Sequence, residues 1–236
     1  MEARHERVEF VPCRRDCGLR GIWDRRPVLL TTAVAVAIIL GVLASIDGGR
    51  LLFWDRPITD AVVDLRSPGV DRFARWVSRL GSTPVVIGVG LAGVALGALR
   101  SRAVAVVMLA VIATRPPFEW LVKEIVARPR PSGARLVTGT GFAYPSGHVL
   151  AAAATWFFVP VIVGLYVKPR WVWWSLTAAV WTLIGLIAWC RVWLGVHWTS
   201  DVVGGLAIAL VPFSIAEAVA SARVNSDDSS APVVAD

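Results

Sequence analysis

Three short stretches of this chain gather the residue types that can hold and transfer an anion. The first is Lys123 followed by Arg128-Pro129-Arg130-Pro131. Each proline disfavours helical geometry in the residue before it, so a helix carrying Lys123 is expected to end near Ala127 and to leave both arginines on an extended strap. The second is Tyr144-Pro145-Ser146-Gly147-His148, which opens a long apolar run. A helix that begins on Pro-Ser-Gly presents unpaired N–H groups at the positive end of its dipole, a ready seat for an anion, and sets His148 in the first turn beside it. The third runs from Cys190 and Arg191 to His197 and Asp201. If a helix begins near His197, Asp201 falls one turn further on the same face and can orient the imidazole.

Phosphoryl transfer is the chemistry these groups suit. A phosphate ester carries up to two negative charges, and its transfer needs positioning and charge stabilisation of the equatorial oxygens, which one lysine, two arginines and a helix N-terminus supply. No carboxylate cluster suited to magnesium accompanies them, so no cofactor and no metal are expected. Singly, juxtamembrane Lys and Arg are ordinary headgroup anchors and a lone histidine at a helix start is ordinarily structural. Their order and their shared membrane face carry the reading.

The elements that must position these groups are membrane spans. The chain is 56% hydrophobic with mean hydropathy +0.64, above the range of soluble domains. Windows long enough to cross about 30 Å of hydrocarbon run from Val28 to Ile46, Pro84 to Leu99, Ala103 to Val122, Gly147 to Tyr166, Trp171 to Cys190 and Val202 to Ala220. The expected fold is therefore all-α: a polytopic bundle of six transmembrane helices in one domain, residues 28–221. Residues 1–27 carry seven arginines and read as a basic cytoplasmic segment before a retained anchor; residues 222–236 read as a disordered cytoplasmic tail.

Positive-inside bias places both termini in the cytoplasm, which puts all three stretches on the opposite, extracytoplasmic face of the cell (inner) membrane. That face is not poor in basic residues, since Asp47 to Thr83 alone holds six arginines. The net charge of +7 is scattered among spans and turns, which points to anionic headgroups rather than nucleic acid. Between the first two spans, Leu51 to Leu80 mixes apolar and charged residues at near-helical intervals, as interfacial helices do. Arg115, Glu119 and Lys123 fall at four-residue steps, so Glu119 can hold the lysine if the helix survives Pro116-Pro117. Cys13 and Cys17 are a weak metal signal.

Lys123-x6-Arg130-Pro131, Pro145-Ser146-Gly147-His148 and Arg191-x5-His197-x3-Asp201, in that order, resemble the three motifs of the type 2 phosphatidic acid phosphatase superfamily, membrane lipid phosphatases related to vanadium haloperoxidases and bacterial acid phosphatases. The resemblance implies a phosphohistidine on His197, held by Asp201, with His148 protonating the leaving oxygen and later activating water. It implies phosphoryl contacts from Lys123, Arg130, Ser146, the Gly147 amide and Arg191; Glu119, Cys190 and Arg128 are read as supporting residues behind them. The third motif usually begins Ser-Arg, and here it begins Cys190-Arg191.

The implied partners are a phosphorylated lipid and the bilayer; oligomeric state is not readable. A polyprenyl (di)phosphate of cell-envelope carrier recycling is the favoured substrate. Phosphatidate, phosphatidylglycerol phosphate and a lipid phosphotransferase reaction remain open alternatives. A transporter would need inverted repeats or broken mid-membrane helices, and the sequence has neither.

Overall fold

The computed structural model describes residues 26–46, 52–133 and 135–212; Cys13, Cys17 and the expected tail lie outside them. Among the described residues all regular secondary structure is helical. The helices are α1 (Arg26–Ser45), α2 (Asp55–Asp64), α3 (Pro68–Ser78), α4 (Thr83–Ala98), α5 (Arg102–Val126), α6 (Gly147–Trp156), α7 (Phe158–Gly164), α8 (Arg170–Trp193) and α9 (Thr199–Pro212).

Three helical stretches are long and apolar enough to cross a membrane: Arg102–Val126, Gly147–Gly164 and Arg170–Trp193. Pro68–Gly81 with Thr83–Ala98, bent by 42°, makes a fourth only if the pair counts as one broken span, so the described residues supply three or four of the six expected spans. The first and last expected spans appear as the shorter apolar helices Thr32–Ser45 and Thr199–Pro212, and residues 213–220 of the last lie outside the described part.

The α6–α7 stretch is the centre of the bundle. It is 67% buried, against 17% for α5 and 22% for α8. Its first turns are a run of alanines, Ala151 to Ala154, which lets neighbouring helices approach closely. Val149, Leu150, Ala153 and Phe157 pack there on Val180 and Ile184 of α8 and on Val202 and Ala209 of α9. The helix breaks at Phe157 because Pro160 has no N–H and clashes with the carbonyl four residues back, that of Trp156. On the other flank α4 meets α5 where Gly93 leaves room for the Met108 side chain.

The stretch between the first two spans forms two short helices, as expected. Helix α3 starts with Ser67 and Pro68, carries Asp71 in its first turn and Arg75 in its last, and buries Ala74, Val77 and Ser78. That charge order suits the helix dipole. Its buried face packs on Ile187 and Leu194, roofing the end of α8.

Candidate active site

Helix α5 runs unbroken through Pro116 and Pro117 and stops at Val126, with Ala127 in the left-handed region at φ 49°. The Ala127 N–H donates to the Lys123 carbonyl at 2.8 Å, closing the helix with a single capping bond. The chain then leaves as the expected strap. Two long-range backbone bonds anchor the segments beyond the strap: Leu136 N–H donates to the Leu194 carbonyl at 3.0 Å, and Ser146 N–H to the Asp201 carbonyl at 2.9 Å. The start of α6 is thereby tied to the start of α9, and the second and third stretches are joined.

A cleft of about 570 Å³ opens between these segments, lined by Lys123, Arg130, Gly147, His148, Arg191 and His197 together with Arg115 and Glu119. Its other walls include the apolar Val86, Ile87, Val111, Ile112 and Trp120. The cleft is thus cationic around these basic groups, and the remainder mixes apolar side chains with Thr83, Glu124, Thr138, Thr140 and Thr155.

Within the cationic end, Glu119 bridges Arg115 at 2.6 Å and Lys123 at 2.8 Å, forming the four-step ladder that the spacing predicted. Glu119 also lies against Gly147, where a Cβ would collide with its carboxylate. Arg130 is held by three carbonyls: its Nη1 donates to Val196 at 2.7 Å, its Nη2 to Thr140 at 2.7 Å and its Nε to Gly141 at 3.0 Å. Burial lowers its pKa, and neighbouring Arg135 adds to the effect while Asp201 and Glu119 oppose it. Arg191 donates to Ser78 Oγ at 2.8 Å and is otherwise buried beside the cleft.

His197 Nε2 lies 3.1 Å from Arg130 Nη1. A guanidinium can only donate, so Nε2 is the acceptor nitrogen and the ring proton of the neutral imidazole sits on Nδ1. Burial, reinforced by the charges of Arg191, Arg130 and Lys123, pushes the His197 pKa well below its ordinary 6.5. The imidazole is therefore neutral, with its lone pair beside the cationic end of the cleft. Nδ1 faces Asp201 Oδ2 at 3.5 Å, longer than a hydrogen bond. Asp201 is held more tightly by others: Oδ2 accepts from the Trp198 N–H at 2.8 Å and Oδ1 from Arg128 at 2.7 Å.

The structure places the expected residues unevenly. Cys190 does not support the site: it is fully buried among Ala74, Ala152, Ile187, Trp193, Leu194 and Val196, where a small apolar side chain is what packing requires. Ser146 is fully buried with an unpartnered Oγ and is not among the residues that line the cleft. The two strap arginines also part company. Arg130 lines the cleft, whereas Arg128 turns inward to Asp55, Ser200 and Asp201. Asp55 and Ser78 were not anticipated at all. The available sign for Asp55 was a lone carboxylate after the apolar Leu51-Leu52-Phe53-Trp54.

Comparison with known proteins gives a consistent result. The PAP2 superfamily pattern matches residues 88–219, more than half of the chain. Phosphatidylglycerophosphatase B of Bacillus subtilis is 30% identical over 164 residues, covering 67% of this chain and 79% of that protein. Undecaprenyl-diphosphatase of Sulfolobus acidocaldarius is 30% identical over 96 residues, covering 40% of this chain and 38% of that protein. Among solved structures, a transmembrane PAP2-type phosphatidylglycerolphosphate phosphatase from Bacillus subtilis superposes with a TM-score of 0.69 at 25% identity, over 82% of this chain and 96% of that one.

Proposed function

The chain belongs to the PAP2 superfamily, and from that premise we propose that it is an integral membrane phosphatase that hydrolyses a lipid phosphate through a phosphohistidine on His197. The single observation that carries this reading is the His197 lone pair, held toward Arg130 at 3.1 Å at the cationic end of a cleft whose other walls include the apolar Val86, Ile87, Val111, Ile112 and Trp120. A lipid phosphate has that same division between a charged head and a hydrocarbon tail.

In the first step Nε2 of His197 attacks phosphorus and the bond to the lipid oxygen breaks. His148, also on the cleft wall, donates a proton to that oxygen. Arg130, Arg191 and Lys123 hold the equatorial oxygens, with the Gly147 amide at the N-terminus of α6 as a fourth contact. In the second step His148 takes a proton from water, the resulting hydroxide attacks phosphorus, and the P–N bond breaks to release inorganic phosphate. The positive charge that develops on the His197 ring faces Asp201, which stabilises it.

The proposed topology follows the sequence: one phosphatase domain of six spans over residues 28–221, flanked by a basic cytoplasmic segment at 1–27 and a cytoplasmic tail at 222–236, with the cleft facing outward. For the substrate, a polyprenyl (di)phosphate stands beside phosphatidylglycerol phosphate, and the name of the relative aligned over 67% of this chain favours the latter. A phosphate-release screen in detergent micelles over polyprenyl diphosphate, phosphatidylglycerol phosphate, phosphatidate and a lipid-linked sugar phosphate tests the proposal. Stoichiometric inorganic phosphate from at least one lipid is expected. Phosphate appearing only on an added alcohol acceptor would replace hydrolysis by phosphotransfer.

A further inference from the structure

Behind the cleft, one guanidinium serves two carboxylates. Arg128 Nη1 donates to Asp201 Oδ1 at 2.7 Å and to Ser200 Oγ at 2.6 Å, while Nη2 donates to Asp55 Oδ2 at 2.6 Å. Asp55 also accepts from the Ser200 backbone N–H at 2.9 Å and from the Ser200 hydroxyl. Asp55 and Arg128 are each 2% exposed, and Asp201 is fully buried. Asp55 stands in the first turn of α2, outside the 88–219 region that carries the family pattern.

The arrangement is more than a buried ion pair. A guanidinium prefers to grip one carboxylate with two parallel bonds. Here Asp55 occupies the second amino group, so Arg128 meets Asp201 through Oδ1 alone. Oδ2 is thereby left to the Trp198 N–H, with His197 Nδ1 facing it at 3.5 Å. The composition of the cluster points the same way: two carboxyl groups share one guanidinium, and Oδ2 of Asp201 stays toward the imidazole that must turn positive when Nε2 bonds to phosphorus. If Asp55 were neutral, Arg128 would be free to close on both oxygens of Asp201, drawing Oδ2 away and cancelling the charge that stabilises the imidazolium.

We propose that Asp55 is a positioning residue for phosphoryl transfer: by holding one arm of Arg128 it confines that guanidinium to a single oxygen of Asp201 and reserves the other for His197. The inference rests on the phosphohistidine reading above, and it assigns to α2 a part in the reaction beyond covering the bundle.

The full-length protein in detergent, assayed with the lipid that the release screen identifies, provides the test. Asp55→Asn keeps the side-chain shape and removes the charge. Its kcat is expected to fall about 10- to 100-fold, the range usual for loss of a partner one step removed from the reacting groups, with KM within about twofold because phosphoryl binding is untouched. The slowed step should be formation of the phosphoenzyme in a single turnover. In Asp55→Asn/Arg128→Gln the guanidinium that closes on Asp201 is gone, so the double variant is expected to be about threefold or more faster than Asp55→Asn alone. A merely structural Asp55 would make the double variant slower still. A kcat within twofold of wild type, a loss that only follows the folded fraction, or a double variant no faster than the single one would each overturn the proposal. An inactive His197→Ala alongside any of these leaves the phosphohistidine reading standing, so the two failures are separable.

Discussion

Glu119 lies against Gly147 so closely that a methyl group at position 147 would collide with its carboxylate. The carboxylate cannot simply turn aside, because Arg115 and Lys123 hold it at 2.6 and 2.8 Å. Gly147→Ala should therefore displace Glu119, release Lys123 from its place in the cleft and disturb the N-terminus of α6 together. Since both lose phosphoryl contacts, the expected result is a fall in kcat/KM of about 10- to 100-fold, equivalent to one or two charge-assisted bonds. The unfolding temperature should stay near that of wild type. Kinetics close to wild type for Gly147→Ala would show that the glycine is not needed at this approach.

Cys190 separates packing from chemistry. It packs among apolar side chains, so alanine should be tolerated and serine should be mildly harmful. A buried hydroxyl lacking a good partner costs about 1–3 kcal/mol, less if it bonds back to its own helix. Turnover per folded molecule is expected to be unchanged in both variants. Serine raising turnover above that of the native cysteine would return position 190 to the phosphate site.

The main course of the chain and the identity of the cleft residues were legible in the sequence, because membrane helices are dictated by length and apolar composition and because Arg-Pro, Pro-Ser-Gly and His-x3-Asp each constrain local backbone. The α5 stop at Ala127, the Arg115-Glu119-Lys123 ladder and the two short helices before α4 are of this local kind. Asp55, Ser78 and the burial of Ser146 and Cys190 were not legible. They depend on contacts between residues far apart in the chain, such as Asp55 with Ser200 or Ser78 with Arg191, and no local periodicity encodes those.

Acidity should act on folding through His197. The unfolded imidazole takes a proton near 6.5, whereas burial and the nearby cations hold the folded one well below that value. As pH falls through 6.5 the unfolded state therefore binds a proton that the folded state refuses, and stability declines until the folded pKa is reached. His197→Asn removes this contribution. The unfolding temperature of the variant should fall less steeply than that of wild type between neutral and mildly acid pH; parallel slopes would contradict a depressed His197 pKa.

Orientation can be tested at a position that accepts substitution without disturbance. Gly133 is exposed and a side chain there would meet nothing within 4 Å. In intact cells Gly133→Cys is expected to react with a membrane-impermeant thiol reagent. Labelling only after the membrane is opened would turn the cleft toward the cytoplasm.

The central claim is that the phosphoryl group passes through His197. Single-turnover reaction with lipid carrying a radiolabelled phosphate, quenched in alkali to preserve a phosphorus–nitrogen bond and mapped by peptide sequencing, addresses it directly. An acid-labile label on His197 is expected, with neither label nor turnover in folded His197→Ala. Label on any other residue, or phosphate release by His197→Ala at the wild-type rate, would contradict it.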